Sequence, residues 1–277
     1  MSFRINTNTS SISARTALGK IGKEQEGVLS KMASGSRIVN ASDDAAGLAI
    51  SEKLKSNIRS MGQANRNAND GVSMIQVAEG GLNEAQNILT RLRELSIQSA
   101  SDTVGDSERG FLDLEYQNIK SELQRITETT AFNGVNLLNG SGDTLDFQIG
   151  TGNDDFNDRI QYDPSTMDAG LESLGIDGIS AGSKVGAQES LESIDNAITK
   201  VSGQRAGLGA LQNRLSTTSN NLQVGIENLS AANSRIRDVD FAEVTAANTK
   251  NNILTQAGTS VLTQANASGN AALRLLG

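Results

Sequence analysis

The sequence predicts a mainly α fold: an elongated antiparallel helical rod or coiled coil, made by pairing helices from the two halves of the chain, with a small β-hairpin region in the middle. Three observations carry this expectation. Ile194, Val201, Leu208, Leu215, Leu222, Leu229 and Ile236 recur every seven residues without a miss, the interval that keeps one apolar seam of a helix turned toward a partner. Leu54, Met61, Ala68, Ile75, Leu82 and Leu89 form a second row of the same interval in the N-terminal half. The composition suits such rows: of 277 residues 36% are hydrophobic but only 3% aromatic, with no tryptophan and a single proline, the residue that interrupts long helices.

In chain order, Ile5, Ile12, Leu18, Ile21 and Val28 fall on a helical period with gaps, which predicts a weakly amphipathic helix within residues 1–40. The stretch "NASDDAAGLAI" follows. Ser42 is placed to cap a helix, with Asp43 and Asp44 in the first turn, where carboxylates face unpaired amides and the positive end of the helix dipole. A carboxylate pair used for chemistry would need further ligands, and adjacent side chains on a helix diverge. The row from Leu54 to Leu89 then forms the first rod helix. Leu112, Tyr116, Ile119, Leu123 and Ile126, spaced 4, 3, 4 and 3, predict another helix over about 107–129. "TAFNGVNLLNGSG" and "TLDFQIGTGNDDFNDRIQYDP" carry Asn-Gly and Gly-rich turn signals between short alternating runs, predicting one or two hairpins that end near Pro164.

The row from Ile194 to Ile236 would make a second rod helix of roughly 65 Å. Neither rod helix can bury its stripe alone, so the two rows are expected to pair. Past a joint at Arg237 to Asp240, Leu254, Val261, Leu262, Leu273 and Leu276 lie among small polar residues and predict a terminal helix pairing with the N-terminal one. The expected domains are thus 1–40 with 241–277 as a terminal helix pair, 41–140 with 187–240 as a helical rod, and 141–186 as a short acidic β- and turn-rich segment directed outward.

Composition also excludes functions. The chain has no cysteine and no histidine, which removes thiol nucleophiles, histidine bases, Ser-His-Asp triads and nearly all zinc or haem sites; no enzyme, cofactor or metal is expected. Residues 141–200 hold twelve acidic and three basic side chains, against two acidic and six basic in residues 1–40. An acidic middle reads as a solvated surface and not as a nucleic-acid groove. The start of the chain builds no apolar core of signal-peptide length, and no run is long enough for a membrane span.

With both ends read, the chain closely resembles a bacterial flagellin. The matching stretches are "SGSRIVNASDDAAGLAISEKL", "NANDGVSMIQVAEGGLNEAQNILTRLRELSIQSA" and "TAFNGVNLL" in the N-terminal half, and "SRIRDVDFAEV" and "NNILTQAGTSVLTQAN" near the C-terminus. The resemblance implies a minimal flagellin without large outer domains, whose terminal helices line the channel of a filament and whose rods form the surrounding tube. It implies export without a cleaved leader to the extracellular flagellum, self-assembly with other copies, and partners in the export apparatus, an export chaperone, and the filament cap and junction proteins. By residue match, Arg91, Leu95 and Glu115 would lie on the surface between stacked subunits, which an animal innate-immune receptor also recognises in many flagellins. Two departures stand out: "ASG" at Ala33 to Gly35 in place of a double serine, and no proline in "QANASGNAALRLLG". Alternatives are a hook-filament junction protein of the same family, a chemoreceptor-like signalling coiled coil, and a carboxylate-based hydrolase; the last would need a cleft that a rod does not offer.

Overall fold

In the computed structural model, which describes residues 7–274, six helices account for most of the chain: α1 (Thr9–Ser34), α2 (Ala45–Ala100), α3 (Asp106–Thr129), α4 (Leu171–Leu174), α5 (Lys184–Arg237) and α6 (Phe241–Arg274). Two antiparallel strand pairs lie between α3 and α4: β1 (Ala131–Phe132) with β2 (Val135–Asn136), and β3 (Leu145–Gln148) with β4 (Arg159–Tyr162). The β1–β2 turn is Asn133-Gly134, with φ values of 50° and 81°, the left-handed pair that a two-residue hairpin loop requires. A 3-10 turn follows at Pro164–Met167, where Asp163 accepts a hydrogen bond from the Ser165 amide.

The chain divides into two compact units, residues 57–227 and residues 1–56 with 228–277. The boundaries fall inside α2 and α5, and not at the joints near 40 and 241.

In the unit formed by residues 57–227, contacts between α2 and α5 fix both direction and register. Ser96 meets Ser190 at 3.0 Å, Arg93 meets Asp195 at 2.7 Å, Gln86 meets Ser202 at 3.5 Å and Asn65 meets Ser219 at 2.6 Å. The α2 number falls as the α5 number rises, so the helices are antiparallel. Their seam is the expected one over most of its length: Ala68, Ile75, Leu82 and Leu89 face a core with Ile194, Val201, Leu208 and Leu215, all fully buried, and Leu222 closes it. Helix α3 adds Tyr116 and Leu123, and the β region adds Leu137, Leu138, Ile160 and Tyr162. Four members of the two rows are only half-buried: Leu54, Met61, Leu229 and Ile236. The cause is the reach of the covering layer. β3 and the loop after it extend along α2 from Asn67, whose side-chain amide donates to the Gln148 carbonyl, to about Ser60, and beyond that two paired helices leave the flanks of their seam open.

The segment 141–186 belongs to this unit and contributes Ile149, Ile160, Tyr162, Ala169, Leu174, Ile176 and Ala181 to its core. The Tyr162 hydroxyl donates to the Leu137 carbonyl at 2.6 Å, and Gln204 of α5 donates to the Asp168 carbonyl at 2.8 Å. Most acidic side chains of the segment are exposed, whereas Ile149, Ile160, Tyr162, Leu174 and Ile176 are buried and Phe156 is exposed.

Two helical glycines on α2 mark close approaches. A Cβ at Gly71 would meet Phe147 and Leu215 at 3.1 Å, and one at Gly81 would meet Leu138 and Thr130 at 2.7 Å. Both sit where the β region and α2 come closest.

Candidate self-assembly surface

In the other unit, α1 and α6 form the second antiparallel pair. Asn8 caps α1, its side chain accepting from the Ser11 amide at 3.0 Å, and also reaches across to donate to the Ala265 carbonyl at 2.8 Å. The Ser11 hydroxyl donates to Asn266 at 2.8 Å, and Gln25 donates to Asn248 at 2.5 Å. Leu18 lies over Gly258, where an added Cβ would come within 2.6 Å of it. Polar and small residues thus make much of the contact, and α1 has no fully buried residue.

This places the expected terminal-pairing residues in three groups. Leu18, Ile21, Val28 and Leu262 are half-buried. Ile12 is 56% exposed, Val261 58% exposed, and Leu254 also faces outward, contrary to the expectation that they pair α1 with α6. Two helices in contact cover one narrow stripe each, and the rest of an apolar arc is left to solvent. Ile5 and Leu276 lie outside the described residues, and Leu273 falls in the last turns of α6. Leu29, Phe241 and Ile253 are exposed on the same two helices.

The joints between these helices and the rod segments are stapled. The Arg37 amide donates to the Arg237 carbonyl at 2.6 Å, the Val239 amide to the Gly35 carbonyl at 3.1 Å, and the Arg37 guanidinium to the Ile236 carbonyl at 2.8 Å. Arg237 pairs with Glu52. Beside this joint α2 begins at Ala45, so the residue that caps it is Asp44, whose carboxylate accepts from the Gly47 amide at 2.8 Å. Ser42 is a correction to the sequence reading: it lies two residues too early, in the turn that precedes the helix. Asp43 accepts from the Val39 and Asn40 amides at 3.0 and 2.9 Å, and those bonds hold its carboxyl below the usual range, the Asn40 bond most. Both aspartates are acceptors for backbone donors. Among the described residues no group of three or more acidic side chains is placed to hold a metal.

Arg91 and Glu115 meet across α2 and α3 at 2.7 Å, and Arg91 also pairs with Glu94 at 3.0 Å. The Glu115 hydrogen bond is the largest cause of a raised arginine pKa. Both side chains are exposed. Leu95, expected on the same surface, is fully buried in the helical core, because it falls on the α2 stripe that runs through Leu82, Leu89 and Leu92.

The model of the bacterial flagellin N-terminal helical region matches residues 5–143, and that of the C-terminal helical region matches residues 191–276. A flagellin of Halalkalibacterium halodurans is 40% identical over 98% of this chain and 99% of its own length. The chain belongs to the bacterial flagellin family. A flagellar filament 30.7 kDa core protein of Treponema maltophilum is 41% identical over 98% of this flagellin and 99% of its own length. The crystal structure of Bacillus cereus flagellin superposes with a TM-score of 0.51 at 28% identity, covering 61% of this flagellin and 94% of that chain.

Sequence reasoning missed the buried polar links of this flagellin. Arg109, almost wholly buried, donates to the Ser99 and Ser101 carbonyls, each at 2.9 Å, and so caps the end of α2 from α3. Lys120 donates to the Asp177 carbonyl. Each reads in sequence as one more helix charge. The joint did leave a signal: the triplet Ser-Arg-Ile occurs at Ser36 to Ile38 and again at Ser234 to Ile236, and the two copies meet.

Ion pairs that bind elements together carry a pH dependence. Asp195 is held below its ordinary pKa chiefly by the Arg93 hydrogen bond, and Asp102 by that from Lys184. A depressed folded-state pKa adds stability that is present above the unfolded value of about 3.9 and is lost as pH falls through the folded one. The thermal midpoint is therefore expected to drop as pH is lowered below about 4, and less steeply in a Asp102→Asn, Asp195→Asn double variant. Equal slopes in calorimetric scans of the two chains would show that these pairs contribute nothing.

Proposed function

We propose that this flagellin is a structural subunit, exported and self-assembled into the bacterial flagellar filament that drives swimming, and that it acts by architecture and not by turnover. The observation that carries this reading is the α1–α6 pair: polar and small residues make much of its contact, and Ile12, Leu29, Ile253 and Val261 are left on the outside of a folded chain. Copies of the same chain supply the cover. The names of its relatives, flagellin and filament core protein, support the same reading. Under it the terminal pair is the inner, channel-lining domain, the paired α2 and α5 segments form the tube, and 141–186 lies on the outer side. The export apparatus, an export chaperone, and cap and junction proteins are the further partners. The exposed Arg91 and Glu115 are the residues proposed for contact between stacked subunits and, in hosts, for an innate-immune receptor.

Filaments sheared from intact cells test this directly: electron microscopy and mass spectrometry are expected to find this chain as a main component, and filaments without it would overturn the assignment. A milder test separates folding from assembly. Ile12→Ser and Val261→Ser change exposed positions, so each is expected to shift the stability of the isolated chain by no more than about 0.5 kcal/mol while slowing seeded filament growth. Unaltered growth would remove this face from the contact.

A further inference from the structure

Asparagine precedes glycine twice in the chain, at Asn133-Gly134 and at Asn139-Gly140, and a glycine in second place leaves its backbone nitrogen unshielded. Asn133 stands in the exposed β1–β2 turn, and its side chain makes no hydrogen bond among the described residues. Asn139 is held differently. Its side-chain oxygen Oδ1 accepts from the Ser141 amide at 3.1 Å and from the Ser141 hydroxyl at 2.7 Å. The ring closed by the first of these bonds folds the side chain back over its own peptide link to Gly140. Two donors on one oxygen draw charge from Cγ and stabilise an oxyanion formed there. The Gly140 amide, the group placed to attack Cγ, donates to nothing among the described residues. Asn139 is half-buried and Ser141 exposed, so water reaches the link.

The fold also keeps this link labile. Gly140 has a φ of 68°, and a Cβ there would lie 2.7 Å from the Asp168 carboxylate. A larger residue, whose side chain would shield the nitrogen, is therefore strained and has no room. A Cβ at Gly134 meets no such neighbour. On either side the chain is fixed: the Leu138 carbonyl accepts from the Ala169 amide at 2.9 Å, and the Leu137 carbonyl from the Tyr162 hydroxyl.

We propose that Asn139 is a site of intramolecular deamidation. The Gly140 nitrogen bonds to Cγ of Asn139, its proton passes through solvent to Nδ2, the Cγ–Nδ2 bond breaks and ammonia leaves, which gives a cyclic succinimide. Water then opens the ring at either carbonyl to leave aspartate or isoaspartate. Each conversion adds one negative charge beside Gly140, against which the Asp168 carboxylate is packed, and like charges at close range repel. The Asp168 carbonyl is also what Gln204 of α5 binds at 2.8 Å, so the change loosens the link between residues 138 and 169 and its hold on α5.

The test uses the full chain, incubated at mildly alkaline pH in water labelled with heavy oxygen, then digested and read by mass spectrometry. In the folded chain Asn139 is expected to take up label several-fold faster than Asn133, and in urea, where the turn is lost, the two are expected to convert at comparable rates. Ser141→Ala removes one of the two donors and is expected to slow Asn139 about fivefold, which is about 1 kcal/mol. Ser141→Thr keeps both and is expected to leave the rate nearly unchanged. Asn139 converting no faster than Asn133 in the folded chain, or no slower after Ser141→Ala, would overturn the site. A difference that persists in urea would belong to local sequence and overturn the part given to the turn. Stability gives a separate reading: Asn139→Asp is expected to lower the urea midpoint and Asn133→Asp to leave it in place, and equal midpoints would overturn the loosening.

Discussion

Chains lacking residues 1–40 or residues 241–277 are expected to fold through residues 57–227 and to grow no filament. The reason is where the apolar core lies. Its fully buried members run from Ala68 to Leu215, so neither deletion touches them. Helix α1 has no buried residue of its own, and α6 meets it through the side chains of Asn248 and Asn266 and the bare backbone of Gly258. When either is removed the other loses its partner, and a lone helix with a narrow apolar stripe is marginal in water. The unfolding free energy of residues 57–227, read from urea titration, should stay within about 0.5 kcal/mol of the intact chain, and far-ultraviolet circular dichroism should lose the signal of both terminal helices, not only the deleted one. Seeded growth followed by light scattering should be absent. A truncated chain that extends seeds at the full rate would show that the outward-facing Ile12, Leu29, Ile253 and Val261 have no part in assembly.

The helices were legible because their signal is periodic. A heptad row is a statement about one face of one helix, and α2, α3 and α5 follow the rows closely. The Asn133-Gly134 hairpin was legible for a different reason: its turn needs left-handed backbone, and the residues that tolerate it are few. What the rows could not convey is how far the covering layer extends. Leu215 and Leu229 occupy equivalent places in one seam, yet the first is fully buried and the second half-buried, since cover depends on where β3 and its loop lie along α2. Leu95 differs for another reason: residue match assigns it to a surface, while its place on the stripe of Leu82, Leu89 and Leu92 puts it inside. Ser42 failed for a local reason. Ser, Asp and Asp all cap helices, and the bonds from Asp43 back to Val39 and Asn40 use the segment before Asp44 for a turn.

Leu215→Ala is expected to cost about 2–5 kcal/mol in the stability of the isolated chain, and Leu229→Ala clearly less. The two changes remove the same atoms from positions two heptads apart on one seam, so intrinsic helix propensity, which favours alanine slightly at both sites, cancels in the comparison. Environment is what differs. The Leu215 side chain approaches Gly71 closely enough that a Cβ there would lie 3.1 Å from its Cδ1, beside Phe147, and a cavity opened at such a layered site cannot collapse without moving helix or strand backbone. Around Leu229 the neighbours are fewer and water already reaches the side chain, so part of the transfer free energy was never gained. Urea denaturation of the monomer resolves the difference, and midpoints shifted equally by the two variants would mean that the β region gives Leu215 no added cover.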